Sequence, residues 1–351
     1  MVEQGVIRPP SEASSLLVRV TRNCPWNKCL FCPAYKGTTF SKRSVEEVLS
    51  DIDEMAETYA SHVDVITSAF LQDADSLLLP TVELVEILEH IRKRFPKVAH
   101  ITTYARAKSM KRKSAEDYKT LKEAGLTRVH TGMESGSLAV LQMVRKGSTP
   151  EDMIAGGLQV KEGGISLSEY IMPGLGGKTL SKKHALETAK LLNTIRPDHI
   201  RVRTFAMHPQ SPMRKMVEEG KFVPMSDDEI VAEIRLLVEK LDEMHSYFHC
   251  ADFSLNLLMQ VDGYLDTDKA AMLRELDAFL SLSKEQKQAY SLLQRSYPAQ
   301  HPLNAVRDPK VMEQLLPEIE KIQKGGDDGF NTYIQHLMTY QLPQPQTDTW
   351  V

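Results

Sequence analysis

Three cysteines lie within nine residues of one another near the start of the chain: Cys24, Cys29 and Cys32. Thiolates this close together can bind one soft metal centre, either a tetrahedral zinc ion that needs a fourth ligand or an iron–sulfur cluster. Three thiolates on a cluster of four irons leave one iron without a protein ligand, and that iron is a reaction site. The alternatives are a structural zinc, with Cys250 or a distant histidine as fourth ligand, and redox-active or packing cysteines.

The cysteines directly follow the first of six segments that read as strands, and helical patterns separate these segments. Ser44 and Glu47 form a capping box that predicts a helix to about residue 59, and Thr149 with Pro150 predicts another helix start. Strand and helix in regular alternation predict a parallel α/β sheet, wound as a partial (β/α)6 TIM-like barrel. The predicted strands are residues 16–20, 63–67, 98–104, 128–131, 165–172 and 200–205.

Near residue 220, after the sixth predicted strand, the sequence changes from alternating strand and helix patterns to successive helix patterns. Ser226 and Glu229 form a further capping box, and helical patterns continue towards the C-terminus. We therefore predict two domains, residues 1–220 as the barrel and residues 221–351 as a helical C-terminal extension. The extension is a candidate cover for the substrate.

The composition indicates a globular protein: 42% of the residues are hydrophobic, 26% are charged, and the formal net charge is −4. These values exclude a disordered chain, a collagen-like repeat and a strongly basic protein that binds nucleic acid by neutralising phosphates. No run of about 20 apolar residues is present that could span a bilayer. We therefore expect cytoplasmic residence, no membrane partner, and no general affinity for nucleic acid.

The cysteine segment, in which Phe31 directly precedes the last cysteine, resembles the cluster motif of the radical SAM superfamily. The usual motif has three and then two residues between its cysteines, whereas this sequence has four and then two. The resemblance continues in the later segments around Arg106, Glu134 and Met172, each of which follows a predicted strand. In this order the segments resemble the oxygen-independent coproporphyrinogen oxidase-like branch of the superfamily.

The resemblance implies that Cys24, Cys29 and Cys32 bind a [4Fe–4S] cluster and that residues after the later strands bind S-adenosylmethionine. In that branch, the acid that matches Glu134 lies against S-adenosylmethionine. Asp73 and Asp75 could equally be loop acids that cap the next helix. The residues implied in cofactor binding are Phe31, Gln72, Asp73, Asp75, Tyr104, Arg106, Glu134, Ser135, Met172, Gly174 and Arg203.

The carboxyl ends of parallel strands meet at one face of a sheet, so these segments are expected to form one site. The resemblance implies an oxidoreductase- or lyase-like enzyme that cleaves S-adenosylmethionine reductively to a 5′-deoxyadenosyl radical, which abstracts hydrogen from a substrate not identified by the sequence. It also implies a reducing partner such as flavodoxin or ferredoxin.

Cys250 lies far from the other cysteines in sequence, and it could donate a hydrogen atom, ligate an auxiliary metal or be a packing residue. Asp252 and Asn256 follow it and could close over the site. Two further hypotheses for the whole chain are a zinc-stabilised binding protein and an iron–sulfur electron carrier that does not cleave S-adenosylmethionine.

Overall fold

A computed structural model describes residues 2–251, 254–296, 300–324, 327–340 and 342. Asp252 lies outside the described residues. Within the described part, eight strands form one sheet and two short strands, β2 and β3, form a separate hairpin. The strands are β1 (Leu16–Arg19), β2 (Thr21–Arg22), β3 (Ser41–Lys42), β4 (Ser68–Gln72), β5 (His100–Ala105), β6 (Leu126–Glu134), β7 (Ser166–Ile171), β8 (His199–Val202), β9 (Tyr247–His249) and β10 (Gly263–Tyr264).

The main sheet has the order β1-β4-β5-β6-β7-β8-β9-β10. Neighbouring strands from β1 to β9 pair in parallel, and only the edge pair of β9 and β10 is antiparallel. Helices cover the sheet between successive strands, so the predicted α/β partial barrel is confirmed. Because the strands run in one direction, the loops after β1, β4, β5, β6, β7 and β8 meet at one end of the sheet.

One predicted strand was wrong. Residues 63–67 were expected to form the second strand, but Val63–Val65 is a single 3₁₀ turn and β4 begins only at Ser68. The side chain of Val65 is 71% exposed, whereas Phe70 and Leu71 are buried. Residues 63–67 therefore lie at the surface, and the buried segment that follows them forms the strand.

The helices predicted after Ser44, Thr149 and Ser226 begin directly after those residues. In α1, Ser44 N–H donates to the Glu47 carboxylate at 2.9 Å and Glu47 N–H donates to Ser44 Oγ at 3.2 Å. The helices are α1 (Val45–Thr58), α2 (Thr81–Arg94), α3 (Ala107–Met110), α4 (Ala115–Ala124), α5 (Leu138–Met143), α6 (Pro150–Glu162), α7 (Gly177–Ile195), α8 (Met213–Glu218), α9 (Asp227–Lys240), α10 (Lys269–Leu280), α11 (Lys284–Ser296), α12 (Pro309–Gln323) and α13 (Asp327–Thr339).

The C-terminal part of the chain contains more than the predicted helices. Strands β9 and β10 extend the sheet beyond β8, and α9 packs against α7. One cluster of buried apolar side chains includes residues from Leu16 to Leu342. The division at residue 220 stays a prediction. Among the described residues, no helix has both the length and the apolar character needed to cross a membrane.

Candidate functional site

A cavity of about 650 Å³ lies where the loops after the parallel strands meet, and Cys24, Cys29 and Cys32 all line it. The loop that carries them is held by its own backbone and by the α5 region. Leu30 N–H donates to Val144 O at 3.0 Å, and Trp26 Nε1 donates to Arg145 O at 2.8 Å. The structure thus brings the three thiols to one cavity, as the spacing predicts.

The three cysteines in this cavity are half-buried. Burial raises the pKa of Cys29 to about 12 and raises the pKa of Cys32 above its ordinary value. A metal centre binds the thiolate form, so metal binding here would release protons. In the described ranges, no group of three or more His, Cys, Asp and Glu side chains is arranged to hold a metal ion.

Glu134 projects into the cavity from the end of β6, where its backbone takes a left-handed conformation with φ of 62°. Lys146 Nζ donates to Glu134 Oε1 at 2.8 Å. Burial disfavours the charged ammonium, but attraction to Glu134 outweighs this cost and raises the pKa of Lys146. A Cβ atom on Gly132 would lie 2.2 Å from Glu134 Oε1, so glycine is needed there for the carboxylate to reach Lys146.

Arg106 follows β5 and places its guanidinium beside the cysteine loop. Its Cζ atom lies 5.4 Å from the ring centroid of Trp26, in cation–π geometry. Its Nη2 atom is buried and has no hydrogen-bond partner in the described part of the chain. An unpartnered buried N–H group is costly, so this arrangement suits a bound anion such as a carboxylate.

Five more of the predicted residues line the same cavity. Phe31 and Met172 provide apolar wall, and Tyr104 and Arg203 extend from strand ends on the opposite side of the loop. Gln72 lines the cavity at the end of β4, where its side chain contacts the N-terminal segment. Ten predicted residues, the cysteines included, are thereby brought together.

The two loop acids after β4 are not among the cavity-lining residues. Asp73 is fully buried, accepts hydrogen bonds from Arg19 at 2.7 Å and Tyr35 at 3.0 Å, and also accepts the Asn23 N–H next to the cysteine loop. Asp75 accepts Ser109 Oγ at 2.6 Å, and burial raises its pKa to about 6. Both carboxylates hold loops in place.

Three other predicted residues also lie outside the cavity lining. Ser135 Oγ pairs with His184 Nδ1 at 2.7 Å, and Gly174 N–H donates to Glu233 Oε1 at 2.7 Å. Cys250 is buried beside Asn256, away from the other cysteines. The structure does not bring these residues to the cavity.

Sequence analysis did not predict several of the residues that line the cavity. Lys146 directly follows the short helix after Glu134, and Trp26 lies between two of the cysteines, so their positions were signals that sequence analysis could have used. Tyr170 lies two residues after Ser168 on β7, so the two side chains point to the same face of the strand. Arg8 lines the cavity from a segment that precedes every strand, and no local pattern marks it.

Part of the chain resembles known proteins. Residues 18–191 match the profile of the Radical SAM superfamily. A tRNA uridine(34) acetyltransferase of Methanocaldococcus infernus is 23% identical over 122 residues, which cover 34% of this chain and 23% of that protein. A 4'-phospho-dehydrooxetanocin synthase of Priestia megaterium is 29% identical over 168 residues, which cover 44% of this chain and 22% of that protein. The aligned segments span less than a quarter of either relative.

Two solved structures were compared with this chain, and the first of them shares its fold. The cobalamin-dependent S-adenosylmethionine radical enzyme OxsB aligns with a TM-score of 0.51 and 16% identity, over 95% of this chain and 59% of that chain. Coproporphyrinogen III oxidase (HemN) from Escherichia coli aligns with a TM-score of 0.46 and 16% identity, over 64% of this chain and 52% of that chain. Residues 18–191 of this chain are therefore similar to the radical SAM superfamily, whose members characteristically bind an iron–sulfur cluster and S-adenosylmethionine.

Proposed function

We propose that this protein binds a [4Fe–4S] cluster through Cys24, Cys29 and Cys32 and cleaves S-adenosylmethionine reductively in the adjoining cavity. The observation that carries the proposal is that three thiols, an arginine with an unpartnered buried N–H group and a carboxylate line one cavity. These groups come from three separate segments of the chain: the cysteine loop, the residue after β5 and the end of β6.

The chemical types of the side chains that line the cavity suit both cofactors. A volume of about 650 Å³ lies within the usual range for a pocket that encloses a small-molecule ligand. Soft thiolates suit an iron–sulfur cluster, and three of them leave one iron open. Arg106 offers Nη2 to a carboxylate such as that of S-adenosylmethionine. Glu134 offers an anionic oxygen to a cationic or hydroxyl group.

When bound, the reduced cluster supplies the electron that cleaves S-adenosylmethionine to a 5′-deoxyadenosyl radical, which abstracts hydrogen from the substrate. The protein side chains bind, orient and shield the reactants. Lys146 keeps Glu134 oriented through their 2.8 Å hydrogen bond. Phe31 and Met172 present apolar wall to the cavity and thereby reduce access of water.

Three finer points belong to the same proposal. We propose that the chain is related to the coproporphyrinogen oxidase-like branch, because its segments around Arg106 and Glu134 resemble that branch. We also propose that a reducing protein such as flavodoxin or ferredoxin supplies the electron. The names of the two curated relatives refer to tRNA uridine(34) and to 4'-phospho-dehydrooxetanocin, so they suggest no shared substrate.

Anaerobic purification and reconstitution test the proposal. We expect about four irons and four sulfides per chain, and formation of methionine and 5′-deoxyadenosine after addition of dithionite and S-adenosylmethionine. One zinc per chain would refute the cluster assignment. A cluster without cleavage would indicate an electron carrier instead.

A matched pair of cysteine variants tests the ligand set. Cys29→Ala removes a thiol that lines the cavity, so we expect the brown colour and the iron content to be lost. Cys250→Ala makes the same change at a buried cysteine outside the cavity lining and should retain iron. Equal iron content in the two variants would contradict the assignment.

A further inference from the structure

Basic groups outnumber acidic groups in the lining of the cavity. Arg8, Arg106, Lys146 and Arg203 line it, and Glu134 is the only aspartate or glutamate among the described lining residues. Glu134 is already paired with Lys146 at 2.8 Å. The guanidinium groups of Arg8 and Arg106 therefore remain at the cavity with no carboxylate of its described lining to balance them.

The cofactors of the proposed function do not supply the balancing charge. An oxidised [4Fe–4S] cluster on three thiolates carries one net negative charge, and S-adenosylmethionine carries one net positive charge, so the two cancel. The carboxylate of S-adenosylmethionine occupies one arginine, for which Arg106 beside the cysteine loop is placed. With both cofactors bound, Arg8 still has no carboxylate of the described lining beside it, and its positive charge attracts anions.

Arg8 is the arginine of the cavity that is accessible to a substrate. Its side chain is exposed at the cavity, and it has no hydrogen bond or ion pair with any residue that the structure describes. Unlike Arg106, it does not follow a strand, and it comes from the N-terminal strap, which we define as residues 3–8. A guanidinium group without a protein partner has all its N–H groups available to donate hydrogen bonds to an oxyanion.

The strap is held against the barrel, so the position of Arg8 is defined. Gly5 N–H donates to Gln72 Oε1 at 2.9 Å, and Gln72 Nε2 donates to Ile7 O at 3.1 Å. At the other end of the strap, Glu3 forms ion pairs of 2.8 Å with both Arg19 and Arg22. These contacts hold the backbone on both sides of the strap and reduce the entropy lost when Arg8 binds a ligand.

We propose that the substrate of this enzyme is an organic anion and that Arg8 binds its phosphate or carboxylate group. This inference rests on the proposed function, because it assigns the substrate class of the same cavity. Arg8 is a specificity-determining residue in this scheme, and it takes no part in cluster binding.

Titration with inorganic pyrophosphate tests the anion site directly. The probe is added to anaerobic holoenzyme that contains S-adenosylmethionine, and heat of binding is recorded. We expect saturable binding that Arg8→Gln weakens by about tenfold or more and that Arg8→Lys weakens less, because lysine keeps the charge. Arg274→Gln on α10 is the matched control and should bind like wild type, since it removes an exposed arginine outside the cavity.

Equal binding by wild type and Arg8→Gln, or no binding by wild type, would overturn the inference. Iron and sulfide content of Arg8→Gln shows whether the variant has folded around its cluster. Wild-type protein that holds no cluster, or that does not cleave S-adenosylmethionine without substrate, shows instead that the proposed function has failed.

Fractionated metabolites distinguish the two kinds of anion. A cell extract is separated on an anion exchanger, and each fraction is tested for faster formation of 5′-deoxyadenosine by wild-type holoenzyme. We expect the stimulating compound in the retained fraction. Loss of stimulation after phosphatase treatment identifies a phosphate, and its persistence identifies a carboxylate. Stimulation by the unretained fraction alone would overturn the inference.

Discussion

Replacing His130 by glutamine is expected to remove part of the acid sensitivity of the fold. The His130 ring is fully buried on β6, with its centroid 6.1 Å from that of Tyr104 and 6.3 Å from that of Tyr170. Burial lowers its pKa from the ordinary 6.5 to about 4, against the opposing influence of Glu12, whose Oε1 lies 3.4 Å from Nε2. The native protein therefore keeps this imidazole neutral.

The size of the effect follows from proton linkage. Between pH 6.5 and pH 4 the unfolded chain binds a proton at this histidine while the native protein does not, so stability falls as the pH falls. The contribution is fully present above pH 6.5. With a native pKa of about 4, this one side chain lowers the free energy of unfolding by about 2 kcal/mol between pH 8 and pH 5.

Urea denaturation at fixed pH values from 8 to 5, followed by circular dichroism, measures the effect. Wild type and His130→Gln are prepared identically, so that contributions shared by both proteins cancel in the difference. We expect the free energy of unfolding of wild type to fall by about 2 kcal/mol more than that of the variant. The lower limit of pH 5 stays above the titration of Glu12, whose pKa lies below 4.5. Parallel pH profiles would refute the reasoning.

Three further substitutions have defined outcomes. Gly136→Ala would place Cβ 2.4 Å from Glu187 O, a backbone atom, so we expect a loss of about 1–3 kcal/mol in urea denaturation; an unchanged midpoint would contradict this. Gly5→Ala would place Cβ 2.4 Å from Asp73 Oδ1, so hydrogen exchange over the strap should become faster, and equal exchange would show that the strap adapts. Ser44→Ala removes the capping box of α1 and should cost about 1 kcal/mol, with Ser44→Thr as the control that retains the hydroxyl.

The regular elements could be predicted from the sequence because their signals are local. The capping boxes at Ser44, Thr149 and Ser226 each act within a single helical turn, and all three mark real helix starts. The second strand was misplaced because residues 63–67 and 68–72 are both apolar, and only packing decides which run is buried. Strands β9 and β10 were missed because they are two or three residues long and have no period to detect.

The site was predicted in part, and the reason differs from residue to residue. Glu134 and Arg106 were predicted at the site because each follows a predicted strand. The loops at the C-terminal ends of parallel strands lie at one face of the sheet. Asp73 also follows a strand, but its carboxylate accepts hydrogen bonds from Arg19 and Tyr35. No residue near Asp73 in the sequence indicates these partners. A buried carboxylate takes the partners that tertiary packing brings to it.

The sequence by itself determined the alternation of strands and helices, the helix starts and the common position of three thiols, because each depends on neighbours within a few residues. Only the tertiary structure decided which charges are neutralised. Lys146 pairs with Glu134 twelve residues away, whereas Arg8 lines the cavity without a described partner. Coulomb energy and desolvation depend on distance and burial in space, and the order of residues along the chain contains neither quantity.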